Sequence, residues 1–159
     1  MILKYHTSAE MATAIIGNDR TGKSKLAVDM VAEKKFVVFT SILRDYPFVD
    51  AVCVHSDLKD LTRIVQQRNK WHPQDQDITV IFDVTEGMPV TSVLHSAMDC
   101  NAITVIIVCS SMDLLPDDMI ERIHTWKFTS TVKPNDAFMH YHPYLDTSKP
   151  PFRKPTPSA

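Results

Sequence analysis

Glycine is scarce in this sequence: only three of the 159 residues are glycine, so a backbone that requires glycine can occur at few places. Cysteine is equally rare, and three widely spaced cysteines form neither a disulfide framework nor a zinc-ligand pattern. The formal net charge of −2 excludes a strong overall basic field for nucleic acid. No apolar run is long enough to cross a bilayer. These absences predict a single-domain intracellular protein without a membrane segment.

Short runs rich in Val and Ile alternate along the chain with longer amphipathic segments. The short runs predict strands buried on both faces of a sheet, and the segments between them predict covering helices. We therefore expect an α/β fold, a three-layer sandwich around a mostly parallel sheet. The predicted strands are 12–16, 36–40, 51–55, 78–82, 103–109 and 125–130, and the predicted helices are 23–34, 57–71, 89–99 and 116–123.

The composition changes after Thr131, since six of the ten prolines lie at or beyond Pro134. Proline removes a backbone donor and fixes φ, so it cannot continue a sheet or a helix. The sequence predicts a domain at 1–131 and a proline-rich tail at 132–159 that is extended or disordered.

Two of the three glycines lie in "GNDRTGKS", residues 17–24, which fits the phosphate-loop pattern G-x-x-x-x-G-K-[ST]. An apolar strand precedes it and a helical segment follows, as the motif requires. Such a loop points backbone N–H groups at phosphate oxygens above a helix N-terminus. The pattern predicts a site for ATP and Mg²⁺. The residues predicted to bind nucleotide are Gly17, Asn18, Asp19, Arg20, Thr21, Gly22, Lys23 and Ser24, with the Ser24 hydroxyl also a ligand of the metal.

A phosphate loop requires a carboxylate for the metal, normally at the end of a strand adjacent to the first. Asp83 ends the apolar run 78–82 and is the predicted metal residue, although a strand-end acid can also serve only a turn. Glu86 is a candidate general base or, equally, a loop acid. Ser110 follows the run 103–109, where its hydroxyl would face the γ-phosphate or only solvate a loop.

The order of these features resembles the genome-packaging ATPases of poxviruses and other large DNA viruses, which belong to the FtsK–HerA group of phosphate-loop motors. The specific part of the resemblance is "ITVIIVCSS", followed by "LLP" and "DDMIERIHTWKF". The resemblance implies an ATP-driven ring of identical subunits that packages double-stranded DNA, working with capsid proteins at a virus assembly site, in the host cytoplasm or in the virion. Lys23 and Ser24 match its nucleotide-binding pair, and Asp83 matches its magnesium-holding acid.

The sequence departs from this family where catalysis is concerned. Val84 replaces the acid that usually follows the magnesium-holding residue, so Glu86 is the nearby substitute. A ring motor also takes an arginine from the neighbouring subunit, and Arg122 and Arg68 are the candidates, unless each is a solvated helix charge. The departures keep two other functions open: a nucleotide-binding regulatory or assembly subunit with little hydrolysis, and a small-molecule kinase.

Overall fold

The computed structural model describes residues 12–69, 78–85, 92–100 and 103–143. Within these ranges the chain forms six strands and five α-helices. The strands are β1 (Thr13–Ile16), β2 (Phe36–Phe39), β3 (Val54–His55), β4 (Ile78–Val84), β5 (Ile103–Cys109) and β6 (Thr125–Phe128). The helices are α1 (Lys23–Val31), α2 (Leu58–Asn69), α3 (Ser92–Asp99), α4 (Asp117–Arg122) and α5 (Asp136–Tyr141).

The strands form one sheet in the order β3-β2-β4-β5-β1-β6, and every pairing in it is parallel. β1, β4 and β5 lie inside the sheet, as their apolar sequences predict, because such strands are buried on both faces. All seven residues of β4 are buried. The predicted α/β fold with a parallel central sheet is confirmed.

Helices cover both faces of this sheet. Successive side chains along each strand point to opposite faces. Ile15 and Ile81 face the layer that contains Val28 of α1. Ile16 and Phe82 face the opposite layer, which contains α2, α3, α4 and α5. The predicted three-layer arrangement is therefore present. None of the helices in the described ranges is both long and apolar enough to span a membrane.

The strand predicted at 51–55 is shorter than expected. Residues Ala51–Cys53 form a 3₁₀ turn, closed by the Cys53 N–H donating to the Asp50 carbonyl at 2.8 Å. Only Val54 and His55 extend along β2. The apolar run 51–55 thus contains a 3₁₀ turn followed by a two-residue edge strand.

Helix α5 corrects the expectation that the chain is extended or disordered from residue 132. Asn135 caps this helix by accepting a hydrogen bond from the Phe138 N–H at 2.8 Å. Phe138 is buried and meets Trp126 edge to face, with ring centroids 4.8 Å apart. Residues Asp136–Tyr141 of the expected tail therefore form a helix that packs on the domain through Phe138, despite the prolines on either side. Residues 144–159 lie outside the described part.

Replacing Phe138 by Ala should lower the free energy of unfolding by about 3–5 kcal/mol, the usual cost of deleting a buried aromatic ring. Chemical denaturation measures this loss. Phe48→Ala is the matched control, because Phe48 is 45% exposed and belongs to neither buried cluster. Equal losses in the two variants would show that α5 does not pack on the domain.

Candidate phosphate-binding site

The site forms at one edge of the sheet, where the carboxyl ends of parallel strands meet. The loop after β1, Asp83 of β4 and Ser110 after β5 all lie at this edge. The expectation that the acidic strand is adjacent to β1 is wrong, because β5 lies between β1 and β4. The register aligns Cys109 with both Ile16 and Val84. This arrangement places Ser110 between the loop and the carboxylate.

The loop turns sharply because two of its residues adopt left-handed backbone conformations. These are Arg20, with φ 62°, and Gly22, with φ 85° and ψ 20°. Glycine adopts such a conformation without steric cost, whereas arginine does so rarely. Helix α1 begins directly after Gly22 and has no side-chain cap and no acidic residue in its first turn. Its first N–H groups are therefore available to an anion.

The end of β6 holds the outer side of this loop. The hydroxyls of Thr21 and Thr129 are hydrogen-bonded at 2.6 Å, and the Asn18 N–H donates to the Ser130 hydroxyl at 2.8 Å. Thr21 also donates to the Asn18 carbonyl at 2.6 Å. Thr129 and Ser130 were missed as site residues in the sequence, although they are the last two residues of the strand predicted at 125–130 and directly follow β6 in the structure. Their hydroxyls fix the loop from outside and leave its inner side to a ligand.

Gly17 is required where the loop leaves β1. A Cβ atom built there would collide with the Thr129 hydroxyl and would lie 2.8 Å from the Thr21 hydroxyl. Both hydroxyls belong to the bonds that hold the loop. Glycine at this position is therefore a matter of close approach, whereas at Gly22 it is a matter of backbone conformation.

Lys23 lies over the loop that precedes it. Its ammonium donates to the Asn18 carbonyl at 2.9 Å and borders the cleft. A phosphate would compete with one neutral carbonyl for this cation. Charge-assisted hydrogen bonds are the stronger ones, so a phosphate is favoured in that competition.

Asp83 is a buried carboxylate, with 7% of its surface exposed. Its Oδ2 accepts a hydrogen bond from the Tyr46 hydroxyl at 2.7 Å. Burial raises the pKa of Asp83 above its usual value, and the bond from Tyr46 and the charge of Lys23 oppose this rise only in part. Burial makes the ionised form of Asp83 unfavourable, and a bound cation would stabilise that form.

The residues present fit Mg²⁺. Ser24 and Asp83 offer the oxygen atoms that this ion prefers, and both side chains border the same cleft. In the described part of the chain no three His, Cys, Asp or Glu side chains form a metal cluster. Phosphate oxygens and water would therefore complete the coordination, as is usual for this ion.

These groups border one cleft of about 700 Å³, within the size range of small-molecule sites. Seven of the sequence-predicted residues line it together with seven others, mainly from the segment after β2. The predicted ones are Asp19, Arg20, Gly22, Lys23, Ser24, Asp83 and Ser110, and the others are Lys25, Ile42, Arg44, Asp45, Phe48, Val84 and Thr85. The segment after β2 could have been found in the sequence, because β2 also ends at this edge.

Gly17, Asn18 and Thr21 belong to the loop but are not among the residues that line the cleft. The other predicted residues lie elsewhere in the fold or outside the described ranges. Arg122 does not line the cleft. Its guanidinium binds the Asp99 carboxylate and lies 3.0 Å from Nδ1 of His95. It lies near the amino-terminal edge of the sheet, since the nearby His124 N–H bonds to Ala12, just before β1. Arg122 therefore does not serve its own chain's cleft, and a role at a neighbour's site stays a prediction.

Glu86 lies outside the described residues, and so does the side chain of Arg68 at the end of α2. Ser111 has a structural role, because its hydroxyl accepts a hydrogen bond from the Asp113 N–H at 3.2 Å and caps a 3₁₀ turn. Ser110 is thus the hydroxyl of this pair that borders the cleft.

Comparison with known proteins supports the assignment of the fold. No family model and no curated protein matches the chain. The genome packaging NTPase B204 of Sulfolobus turreted icosahedral virus 2, in complex with ATP-γS, matches with a TM-score of 0.56 at 12% identity, over 90% of this chain and 85% of that one. Its complex with AMP matches with the same TM-score at 8% identity, over 88% and 84%.

Caenorhabditis elegans PCH-2 matches with a TM-score of 0.49 at 13% identity. That match covers 76% of this chain, which spans 36% of the PCH-2 chain. At these identities the B204 matches show the fold alone. The fold is that of the phosphate-loop NTPases, and the predicted fold class is confirmed.

Gly17→Ala should disrupt the loop, because its methyl group must displace the Thr129 hydroxyl. We expect a loss of ATP affinity of at least roughly 10-fold, equivalent to 1.4 kcal/mol. Thr129→Ala in the same chain removes the colliding oxygen and should restore part of this loss. Isothermal titration of the single and double variants measures both effects. A double variant no better than Gly17→Ala would contradict this account of Gly17.

Proposed function

We propose that this protein binds ATP with Mg²⁺ in the cleft and hydrolyses it as a subunit of a motor that packages viral double-stranded DNA. The observation that carries nucleotide binding is the convergence of the loop 17–24 with the buried Asp83 on one cleft. Packaging is supported by the resemblance of the sequence and by the fold shared with B204, a genome packaging NTPase. The working assembly would be a homo-oligomeric ring with DNA passing through it, associated with capsid proteins.

Each group would have a distinct task in this reaction. N–H groups of the loop and of the first turn of α1 would bind phosphate oxygens, and the Lys23 ammonium would move from the Asn18 carbonyl to the β- and γ-phosphates. Ser24 and Asp83 would hold Mg²⁺, which neutralises charge on the phosphates when bound. Ser110, between the loop and the acid, would donate a hydrogen bond near the γ-phosphate. Glu86 would take the proton of the attacking water.

A specific observation favours the second candidate, an assembly subunit that binds nucleotide and turns it over little. Val84 occupies the position of the usual base and is buried in the hydrophobic core. The next side chain, Thr85, is uncharged and its hydroxyl is bonded to that of Ser41 at 2.6 Å. Neither residue can act as a strong base. Hydrolysis would therefore require another base, for which Glu86 is the candidate, whereas nucleotide binding would not.

Lys23→Ala should reduce ATP affinity by roughly 100-fold or more, because the motif places no other ammonium at the β- and γ-phosphates. Isothermal titration with ATP and Mg²⁺ measures the change. Lys34→Ala is the matched control, since Lys34 is exposed just beyond α1 and should bind ATP like the wild type. If Lys23→Ala bound ATP as tightly as the control, the nucleotide-binding proposal would be lost.

Glu86→Gln should decrease turnover by roughly 10²-fold and leave ATP affinity nearly intact, as expected for loss of a general base. Phosphate release measured with and without double-stranded DNA tests this, together with the oligomer mass in a non-hydrolysable analogue. The motor proposal predicts DNA-stimulated turnover and a ring. Wild-type turnover no faster than that of Glu86→Gln, even with DNA present, would favour the assembly subunit.

A further inference from the structure

Tyr46 is a buried side chain with a polar tip directed at the site. Its side chain is the largest of the fully buried ones in the described residues, with 2% of its surface exposed. Its hydroxyl donates to Asp83 Oδ2 at 2.7 Å. The phenol therefore contacts one of the two side chains assigned to Mg²⁺. Neither the phosphate-loop motif nor the proposed reaction includes this residue.

A phenol hydroxyl has one proton to donate and lone pairs that accept. That proton goes to Asp83 Oδ2, so the phenol acts on the carboxylate as a donor. The bond thus sets the orientation of the carboxylate.

The ring of Tyr46 is itself firmly held. It packs in the layer between the sheet and α1, with Ile81 and Val28 in the same cluster. The Phe48 ring lies 6.1 Å away from it, centroid to centroid. The residue directly follows the 3₁₀ turn Leu43–Asp45, and Arg44, Asp45 and Phe48 border the cleft. Packing therefore fixes the Tyr46 hydroxyl beside Asp83, next to the residues after β2 that line the cleft.

We propose that Tyr46 is a positioning residue for the divalent cation, which orients Asp83 through its hydroxyl so that this carboxylate, together with Ser24, binds Mg²⁺ with ATP. This inference rests on the proposed ATP·Mg²⁺ function and adds a determinant of its metal dependence. Removing the hydroxyl leaves the carboxylate free to rotate. The loss falls on the step that requires the cation, because the loop and Lys23 remain unchanged.

The test compares ATP affinity of Tyr46→Phe in Mg²⁺ and in EDTA by isothermal titration. We expect the increase in affinity that Mg²⁺ produces to fall by roughly 10-fold or more, the usual effect of losing a group that orients a metal ligand. Tyr141→Phe is the matched control, because it deletes a phenol hydroxyl on α5, whose helix packs on α4. A purely structural role would lower the melting temperature and leave the ratio of the two affinities unchanged, which would overturn the proposal.

A double-mutant cycle strengthens this test. If Tyr46 acts through Asp83, adding Tyr46→Phe to Asp83→Asn should cause little further loss of Mg²⁺ dependence. Additive losses would overturn the proposal. Wild-type protein that binds ATP equally well in Mg²⁺ and EDTA would instead contradict the proposed ATP·Mg²⁺ function.

A measurement on the unmutated side chain covers the case in which Tyr46→Phe fails to fold. Protein labelled with 3-fluorotyrosine has four signals, assigned through Tyr→Phe variants at positions 5, 141 and 144. Adding Mg²⁺ to the ATP-saturated protein should shift the Tyr46 signal, because its partner Asp83 would then bind the metal. A Tyr46 signal that does not respond to Mg²⁺ would overturn the proposal.

Discussion

The whole site depends on the parallel pairing of β5 with β1 on one side and β4 on the other. The register places Ile16, Cys109 and Val84 in one row across the sheet. Neighbouring strands lie roughly 4.8 Å apart, so the loop and the acidic strand are separated by about 10 Å. That gap suits a phosphate group and a metal ion between the loop and Asp83. A strand order with β1 and β4 adjacent would halve it.

Asp83 costs stability where it serves function. A carboxylate among buried strands loses its hydration, and its raised pKa shows that the protein compensates only in part. Tyr46 supplies the compensating hydrogen bond, and burial also raises the pKa of Tyr46 well above its usual value, which keeps the phenol protonated as a donor. The pair is arranged for a cation, since a positive charge there would stabilise the carboxylate that folding leaves under-solvated.

Much of the fold could be predicted from sequence because the strands are buried on both faces and so form continuous apolar runs. "ITVIIVC" became β5 with the expected bounds. The phosphate loop was also predictable, since glycine is so rare in this chain that two glycines with the motif spacing are informative. The position of β5 between β1 and β4 was not predictable, because a run of apolar residues carries no information about which strand it pairs with.

The contacts that complete the site were beyond sequence reasoning for a similar reason. Thr129 and Ser130 reach the loop only because β6 pairs with β1, and Tyr46 reaches Asp83 only because the chain folds back after β2. The helix α5 was not predicted because prolines lie on both sides of it, although the apolar ring of Phe138 is consistent with its packing. Each of these depends on a long-range contact rather than a local pattern.

The central claim is that one edge of the sheet assembles a nucleotide site from the loop, Asp83 and Ser110. A crystal structure with a non-hydrolysable ATP analogue and Mg²⁺ tests it most directly. The account predicts phosphates along residues 17–24, the Lys23 ammonium transferred from the Asn18 carbonyl to the β- and γ-phosphates, and the metal held by Ser24 beside Asp83. A nucleotide bound elsewhere, or a metal far from Asp83, would contradict it.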